Sequence, residues 1–183
     1  MFGKFLVSTA ALLAAAPAFG AVQVIGSSAA RMCYEAADSQ GIPSSDALAR
    51  CDTALSEEAL APHDEVATYV NRGILKLRLG RIDEASTDFA SAIQRDPNEP
   101  EAYLNQGMAA LRQNDGAQAL TLFDAALAKK TRRPALAYYG RAVAQEMAGR
   151  LREAYRDYRQ ASLLEPKWRD PKVELARFTV TPR

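Results

Sequence analysis

The apolar positions of this chain repeat with a spacing of 34 and then 35 residues, which is visible when the sequence is aligned with itself. The matching positions share an aromatic residue, a small residue four positions later, and an Ala-x-x-x-aromatic-x-x-Ala pattern further on. They are Tyr69, Gly73, Ala85, Phe89 and Ala92; Tyr103, Gly107, Ala119, Phe123 and Ala126; and Tyr138, Ala142, Ala154, Tyr158 and Ala161. A fixed period sets the architecture of a whole array, so a stack of similar units is predicted.

Each copy is predicted to form two helices joined by a short turn. Tyr69 and Gly73 are four residues apart and therefore share one helix face. Gly80 ends that helix, and the apolar positions of residues 85–92 then follow the i, i+4, i+7 spacing of a second helix. Pro97 ends the second helix. The small residues let the two helices approach closely, and the aromatic residue fills the gap to the next copy.

With these residues at this spacing, residues 64–168 resemble the tetratricopeptide repeat family. The resemblance implies an all-α fold, a right-handed stack of antiparallel helix hairpins with three clear repeats. The chain departs from the family where a leucine usually precedes the glycine, since Arg72, Gln106 and Arg141 stand there, and Ala142 replaces the third glycine. We expect these departures to weaken packing within the hairpins without changing the fold.

The first twenty residues have the pattern of a secretory signal peptide. Lys4 precedes a mostly apolar run over residues 5–18, and small residues precede a cleavage point that we place after Gly20. The alternative is an uncleaved membrane anchor, but the run of about fourteen residues is shorter than the roughly 20 that a spanning helix needs. The short, alanine-rich signal favours export to a bacterial periplasm.

Residues 27–60 are interpreted as a degenerate N-terminal helical hairpin, with Cys51 in the place of the repeat aromatic. Cys33 lies 18 residues earlier, and an antiparallel helix pair in an oxidising compartment would bring the two sulfurs together, so we predict a disulfide. The alternative is two buried thiols. Residues 169–183 are predicted to form a C-terminal capping helix and a tail, because terminal units of stacked arrays need a polar outer face.

The composition argues against enzyme activity. At 48% hydrophobic and 25% charged residues, the chain can bury a core. One histidine and two cysteines exclude most metal sites built from several such ligands. His63, the single histidine, lies in a connector, and no glycine-rich phosphate loop is present. We therefore predict no enzyme activity and no small-molecule cofactor.

Charge is unevenly distributed along the chain. Residues 21–128 hold 8 basic and 16 acidic side chains, whereas residues 129–183 hold 14 basic and 6 acidic ones. Arg152, Arg156 and Arg159 share one helix stripe, called the basic face below. It is a candidate surface for anionic lipid or lipopolysaccharide. The alternative is a solvated helix face, which most charge runs are.

In the family that this chain resembles, the first helix of each pair lines a concave face that holds a peptide. The matching positions, called the predicted groove below, are Val70, Asn71, Ile74, Arg78, Leu104, Asn105, Met108, Arg112, Tyr139 and Val143. Asparagine both donates and accepts hydrogen bonds, which suits a peptide backbone, and arginine suits a carboxylate. Alternatively, these residues pack between units, under the N-terminal hairpin or under the chain's own N-terminal segment.

Some members of the family hold the acidic C-terminus of a chaperone with basic and asparagine side chains. The matching positions here are Val70, Ile74, Met108, Tyr139 and Val143, none of which is basic or asparagine. We therefore do not expect that activity.

The sequence thus favours an exported, non-catalytic protein–protein interaction module that binds a peptide segment of a partner. The alternative is a cell-envelope component that docks to an anionic lipid surface. An exported protein seldom meets nucleic acid, so no nucleic-acid partner is expected.

Overall fold

The structure, a computed structural model, describes residues 19–26, 28–39 and 41–178. Residues 1–18 of the predicted signal peptide and the predicted tail after residue 178 lie outside this part. Within it, all regular secondary structure is helical. The helices are α1 (Ser28–Asp38), α2 (Ser45–Glu57), α3 (Pro62–Arg78), α4 (Ile82–Arg95), α5 (Pro100–Arg112), α6 (Gly116–Ala128), α7 (Pro134–Met147), α8 (Leu151–Leu164) and α9 (Asp170–Leu175).

The helices pair in chain order into four antiparallel hairpins, α1–α2, α3–α4, α5–α6 and α7–α8, and α9 packs on α8. The second helix of each hairpin contacts the first helix of the next, and the first helices α1, α3, α5 and α7 also contact one another in series. The prediction of a helical-hairpin stack with three clear repeats, a degenerate N-terminal hairpin and a C-terminal capping helix is confirmed.

The turn inside each of the three repeats requires one residue in the left-handed region. Gly80 (φ 77°) and Gly149 (φ 72°) supply it in the first and third repeats, and Asn114 (φ 61°) supplies it in the second. Glycine carries no Cβ penalty there, and asparagine is among the residues that tolerate this conformation.

Small residues bring the helices close enough for one aromatic ring to fill the gap. A Cβ atom added to Gly107 would lie 2.9 Å from the ring of Phe123, and one added to Gly140 would lie 2.3 Å from it. Phe123 is fully buried and therefore packs against both its own hairpin and the next one. In the same way, a Cβ atom at Gly73 would lie 2.4 Å from Phe89.

Two of the departures from the family pattern, Arg72 and Arg141, form ion pairs, which the expectation of weaker packing did not include. Arg72 donates to both carboxylate oxygens of Asp88 at 2.9 and 2.6 Å, and Lys76 lies 2.8 Å from the same group. Arg72 also donates to Asp52 of α2 at 2.7 Å. Burial lowers the pKa of Arg72, but the hydrogen bonds to Asp88 and Asp52 outweigh it and raise that pKa overall.

The third repeat forms the same network. Arg141 donates to both oxygens of Asp157 at 2.7 and 2.9 Å, and to Asp124 of the preceding hairpin at 2.7 Å. In both repeats, one arginine thus joins its own second helix to the second helix of the previous unit. The corresponding residues of the middle repeat are Ala90, Gln106 and Leu122. All three charged residues are therefore replaced by uncharged ones there.

The predicted disulfide between Cys33 and Cys51 is present and joins α1 to α2. Both cysteines are fully buried. Cys51 occupies the place that a phenylalanine fills in the first two repeats, so a covalent link holds this hairpin where the aromatic ring is missing.

Candidate functional site

The inner side of the stack is lined by α3, α5 and α7, and residues 19–25 cross the first two of these helices. Residues 19–25, called the N-terminal segment below, contain no helix. Phe19, Val22 and Val24 are buried, whereas Gln23 and Ile25 are exposed. From Val22 to Ile25 the buried and exposed residues alternate, as in an extended chain with one side turned to the helices, whereas Phe19 and Gly20 are both buried.

Asn71 of α3 holds the middle of the N-terminal segment by its backbone. The side-chain Oδ1 accepts from the amide of Val22 at 2.9 Å, and the Nδ2 donates to the carbonyl of Val22 at 2.7 Å. Asn71 and Val22 are both almost completely buried. One asparagine therefore satisfies both main-chain groups of one residue, whatever side chain that residue carries.

Asn105 of α5 makes a related contact one helix further along. Its Nδ2 donates to the carbonyl of Gly20 at 3.2 Å and to the carbonyl of Glu101 at 2.8 Å. Its Oδ1 is buried and has no partner among the described residues. The site around Gly20 therefore keeps one acceptor unused.

Glu101 lies next to Gly20 and is fully buried. Its carboxylate accepts from Thr131 Oγ1 at 2.6 Å and from the backbone amide of Arg132 at 2.7 Å, and Arg132 Nε lies 3.2 Å away. A Cβ atom at Gly20 would lie 2.8 Å from Glu101 Oε2 and 3.3 Å from Leu104. Only glycine fits there without a shift of the groups around it.

Asp64, at the start of α3, holds the other end of the N-terminal segment. Its Oδ1 accepts from the amide of Ile25 at 3.1 Å and lies 3.2 Å from Nδ1 of His63. Asp64 is buried, whereas the His63 side chain is largely exposed. The single histidine therefore sits at the rim of the segment's site, beside the carboxylate that holds Ile25.

The apolar part of the predicted groove is covered. Val70, Ile74 and Leu104 are fully buried and Met108 is nearly so. They belong to one core together with the buried residues of the N-terminal segment. These four apolar residues of the first two repeats are therefore packed in the core and are not exposed.

Arg78 and Arg112 bind backbone carbonyls at helix ends. Arg78 donates to the carbonyls of Ala36 and Ala37 at 3.3 and 3.1 Å, in the last turn of α1. Arg112 donates to the carbonyl of Leu77, in the last turn of α3. Burial lowers the pKa of both arginines. Each cation thus caps the first helix of the preceding hairpin, where the helix dipole favours positive charge, and does not face an open groove.

Tyr139 and Val143 of the third repeat belong to a different cluster, at the C-terminal end. The ring of Tyr139 lies 4.8 Å from that of Trp168 and 5.4 Å from that of Tyr158. Val143 packs in the same cluster, together with Phe178. Burial raises the pKa of Tyr139. The predicted groove is therefore divided between an N-terminal site and this aromatic cluster.

Sequence reasoning did not identify Glu101 or Asp64 as parts of this site, and it left open whether the N-terminal segment covers the inner face. The sequence pattern that could have indicated an extended segment here is weak. Apolar and polar residues alternate only over Val22, Gln23 and Val24. This is shorter than the four to eight residues from which an extended chain is recognised.

The basic face lies on α8, away from the inner side. Arg152, Arg156 and Arg159 are exposed, and Arg156 donates to Glu153 at 3.1 Å. Over the residues that the structure describes, no group of three or more His, Cys, Asp or Glu side chains could hold a metal ion. None of the helices described is both long and apolar enough to cross a membrane.

Comparison with known proteins identifies the class of repeat. A family model described as "Tetratricopeptide repeat" matches residues 70–134 and 104–163, which together make up just over half of the chain. The chain belongs to the tetratricopeptide repeat family.

Two curated relatives come from Komagataeibacter xylinus. "Cellulose synthase operon protein C" is 34% identical over 106 residues, covering 53% of this chain and 8% of the relative. "Cellulose synthase 1 operon protein C" is 33% identical over 95 residues, covering 47% of this chain and 7% of the relative. This chain therefore matches less than a tenth of the length of either relative.

Among solved structures, the "First TPR of Spaghetti (RPAP3) bound to HSP90 peptide SRMEEVD" is 27% identical, with a TM-score of 0.58. The match covers 61% of this chain and 88% of that one. The "Arabidopsis OM64 TPR domain" has a TM-score of 0.61 at 24% identity, covering 64% and 96%. The second likeness concerns the fold alone.

Proposed function

We propose that this protein is an exported, non-catalytic protein-interaction module that binds an extended peptide of a partner protein across α3 and α5, at the place that the N-terminal segment occupies. The observation that carries this proposal is the pair of hydrogen bonds between Asn71 and the backbone of Val22. The bacterial periplasm is the compartment that fits the signal-peptide pattern and the buried disulfide.

The site combines a main-chain grip with side-chain pockets. Asn71 and Asn105 contact only the backbone of the N-terminal segment, so they do not select a sequence. Selectivity comes from the positions that hold Phe19, Val22 and Val24, which accept apolar side chains, and from Gly20, where an added Cβ would lie too close to Glu101. A partner peptide with this pattern can exchange with the N-terminal segment.

The charge of the site distinguishes it from the peptide complex among the solved structures. That structure is described as holding the HSP90 peptide SRMEEVD, which supports peptide binding by this kind of fold. Here the carboxylates of Glu101 and Asp64 stand at the two ends of the segment's path. They would repel an acidic peptide, so the proposed ligand is apolar and uncharged in its bound part.

The test uses the full chain with Val22→Asp, because a buried unpaired charge expels the segment from the site. A labelled peptide with the sequence of residues 19–26 is titrated in and followed by fluorescence anisotropy. We expect saturable binding to Val22→Asp and much weaker binding to the unaltered chain. Asn71→Ala in the Val22→Asp background removes binding, whereas the matched control Asn98→Ala, an exposed loop asparagine, leaves it unchanged.

Circular dichroism shows whether each variant keeps its helices. A helical Val22→Asp variant that fails to bind the peptide contradicts the proposal. Equal binding with and without Asn71 contradicts the role given to that side chain.

A second candidate function is docking to anionic lipid or lipopolysaccharide through the basic face. The observation in its favour is that Arg152, Arg156 and Arg159 are all exposed on one helix. It predicts binding to vesicles with anionic lipid that weakens with salt and is lost when the three arginines are changed to glutamate. Vesicle binding that survives those changes rules it out.

A further inference from the structure

Two residues that precede the cleavage point favoured by the sequence, Phe19 and Gly20, are packed into the structure. Phe19 is 7% exposed, and its carbonyl accepts from the amide of Ala21 at 2.8 Å. The carbonyl of Gly20 accepts from Asn105, and the space around its Cα is closed by Glu101. Both residues are therefore integral to the site on α3 and α5.

Cleavage after Gly20 would remove these contacts from the mature protein. The buried position of Phe19 would be empty, and Asn105 would lose the carbonyl of Gly20. The new charged amino group would stand on Ala21, directly before Val22, whose amide and carbonyl are buried against Asn71.

The sequence offers a second cleavage point that keeps both residues. Ala16, Pro17 and Ala18 form an Ala-x-Ala pattern, the kind of small-residue motif that signal peptidase recognises. We propose that signal peptidase hydrolyses the peptide bond between Ala18 and Phe19, so that the mature protein begins at Phe19 and its N-terminal residues fill the inner face. Water adds its hydroxyl to the carbonyl of Ala18 and a proton to the nitrogen of Phe19.

The surroundings of Gly20 suit a chain that begins one residue earlier. The Oδ1 of Asn105 is a buried acceptor with no partner in the described part of the chain. The carboxylate of Glu101 lies beside the same glycine. A chain that begins at Phe19 keeps Gly20 among these buried polar groups, with its carbonyl bonded to Asn105.

This inference rests on export, which is part of the proposed function. The experiment is expression of the full-length chain in a bacterium that exports it, followed by intact mass measurement and N-terminal sequencing of the periplasmic protein. We expect a chain that begins at Phe19. If every periplasmic chain begins at Ala21 and no longer form is detected, the inference is overturned but the proposed function still stands. An unprocessed chain retained in the cytoplasm overturns both.

Two matched variants separate the two cleavage points. Ala16→Gln changes a recognition position of the Ala18–Phe19 site only, and Gly20→Gln changes a recognition position of the Gly20–Ala21 site only. The inference predicts that Ala16→Gln accumulates precursor or moves the cleavage point, and that Gly20→Gln still begins at Phe19. The reverse pattern overturns it. The N-terminus is read on denatured protein, so a loss of stability does not obscure the result.

Discussion

The side-chain amide of Asn71 forms two hydrogen bonds with the backbone of Val22, a residue 49 positions away in the chain. The pair places an extended segment against the inner helices of the repeats. The contact involves only main-chain groups of Val22, which every residue carries.

Loss of the Asn71 side chain is predicted to destabilise the protein. Asn71→Ala leaves the amide and the carbonyl of Val22 buried without partners, so we expect the free energy of unfolding to fall by about 2 kcal/mol or more. Urea denaturation measures it. Asn98→Ala, on the exposed loop between α4 and α5, serves as the control and is expected to stay within roughly 0.5 kcal/mol of the unaltered protein. Equal effects for the two variants would show that the Asn71 pair contributes nothing.

The sequence predicted that Asn71 and Asn105 bind a polypeptide backbone, but it did not show which backbone they bind. The 34-residue repeat placed Asn71 and Asn105 on the inner helices, and the capacity of an amide to donate and accept identified them as backbone-binding residues. What they bind could not be read, because the N-terminal segment has no periodicity of its own. It is ordered by contacts with residues far along the chain.

The arginines differ in how far the sequence predicts their partners. Arg78 and Arg112 have the spacing of groove residues, but each reaches the end of the preceding first helix, which depends on how the hairpins stack. The ion pair of Arg72 and Asp88, in contrast, could have been predicted from the sequence. Arg141 and Asp157 repeat it with the same separation of 16 residues.

The close packing around Phe123 is tested by adding one methyl group. Gly140→Ala places a Cβ atom 2.3 Å from the ring, so the ring or α7 must move, and we expect a loss of about 1–3 kcal/mol in the free energy of unfolding. Gly41→Ala is the matched control, since a Cβ atom there meets nothing within 4 Å. A Gly140→Ala variant as stable as this control would contradict the packing described.

The disulfide is predicted to carry a large part of the stability of the N-terminal hairpin. Replacing Cys33 and Cys51 together by alanine is expected to cost roughly 3 kcal/mol, mainly because the unfolded chain regains freedom. Thermal or urea unfolding without reductant measures the change. Thiol titration of the unfolded, non-reduced protein is expected to find no free thiol, and two reactive thiols would contradict the bridge.

The middle repeat suggests how to test the arginine networks. Arg72→Gln alone leaves the carboxylate of Asp88 buried with only Lys76 beside it, and we expect a loss of about 2–4 kcal/mol in the free energy of unfolding. Adding Asp88→Leu, Asp52→Ala and Lys76→Ala reproduces the residues of the middle repeat, where Ala110 stands at the position of Lys76, and is expected to recover much of that loss. Urea denaturation of the single and quadruple variants measures the change. A quadruple variant that is less stable than the single one would refute the interpretation.

The Glu99 carboxyl is predicted to make the stability of the protein depend on pH. Burial raises its pKa in the folded protein, although it accepts a hydrogen bond from the amide of Glu101. The folded state therefore binds this proton more tightly, and its contribution to stability falls as the pH rises above the unfolded value of about 4.3. We expect Glu99→Gln to be more stable than the unaltered protein at neutral pH and to lose that advantage in acid. A difference that is independent of pH would argue against the assignment.

Amide hydrogen exchange of Val22, followed by NMR in the full chain, tests most directly whether the inner face holds extended polypeptide. The account predicts that this amide exchanges far more slowly than in an unstructured peptide, and that the protection disappears in Asn71→Ala. Exchange of the Val22 amide at the unstructured rate in the unaltered protein would mean that the segment does not occupy the inner face, and the proposed binding site would lose its support.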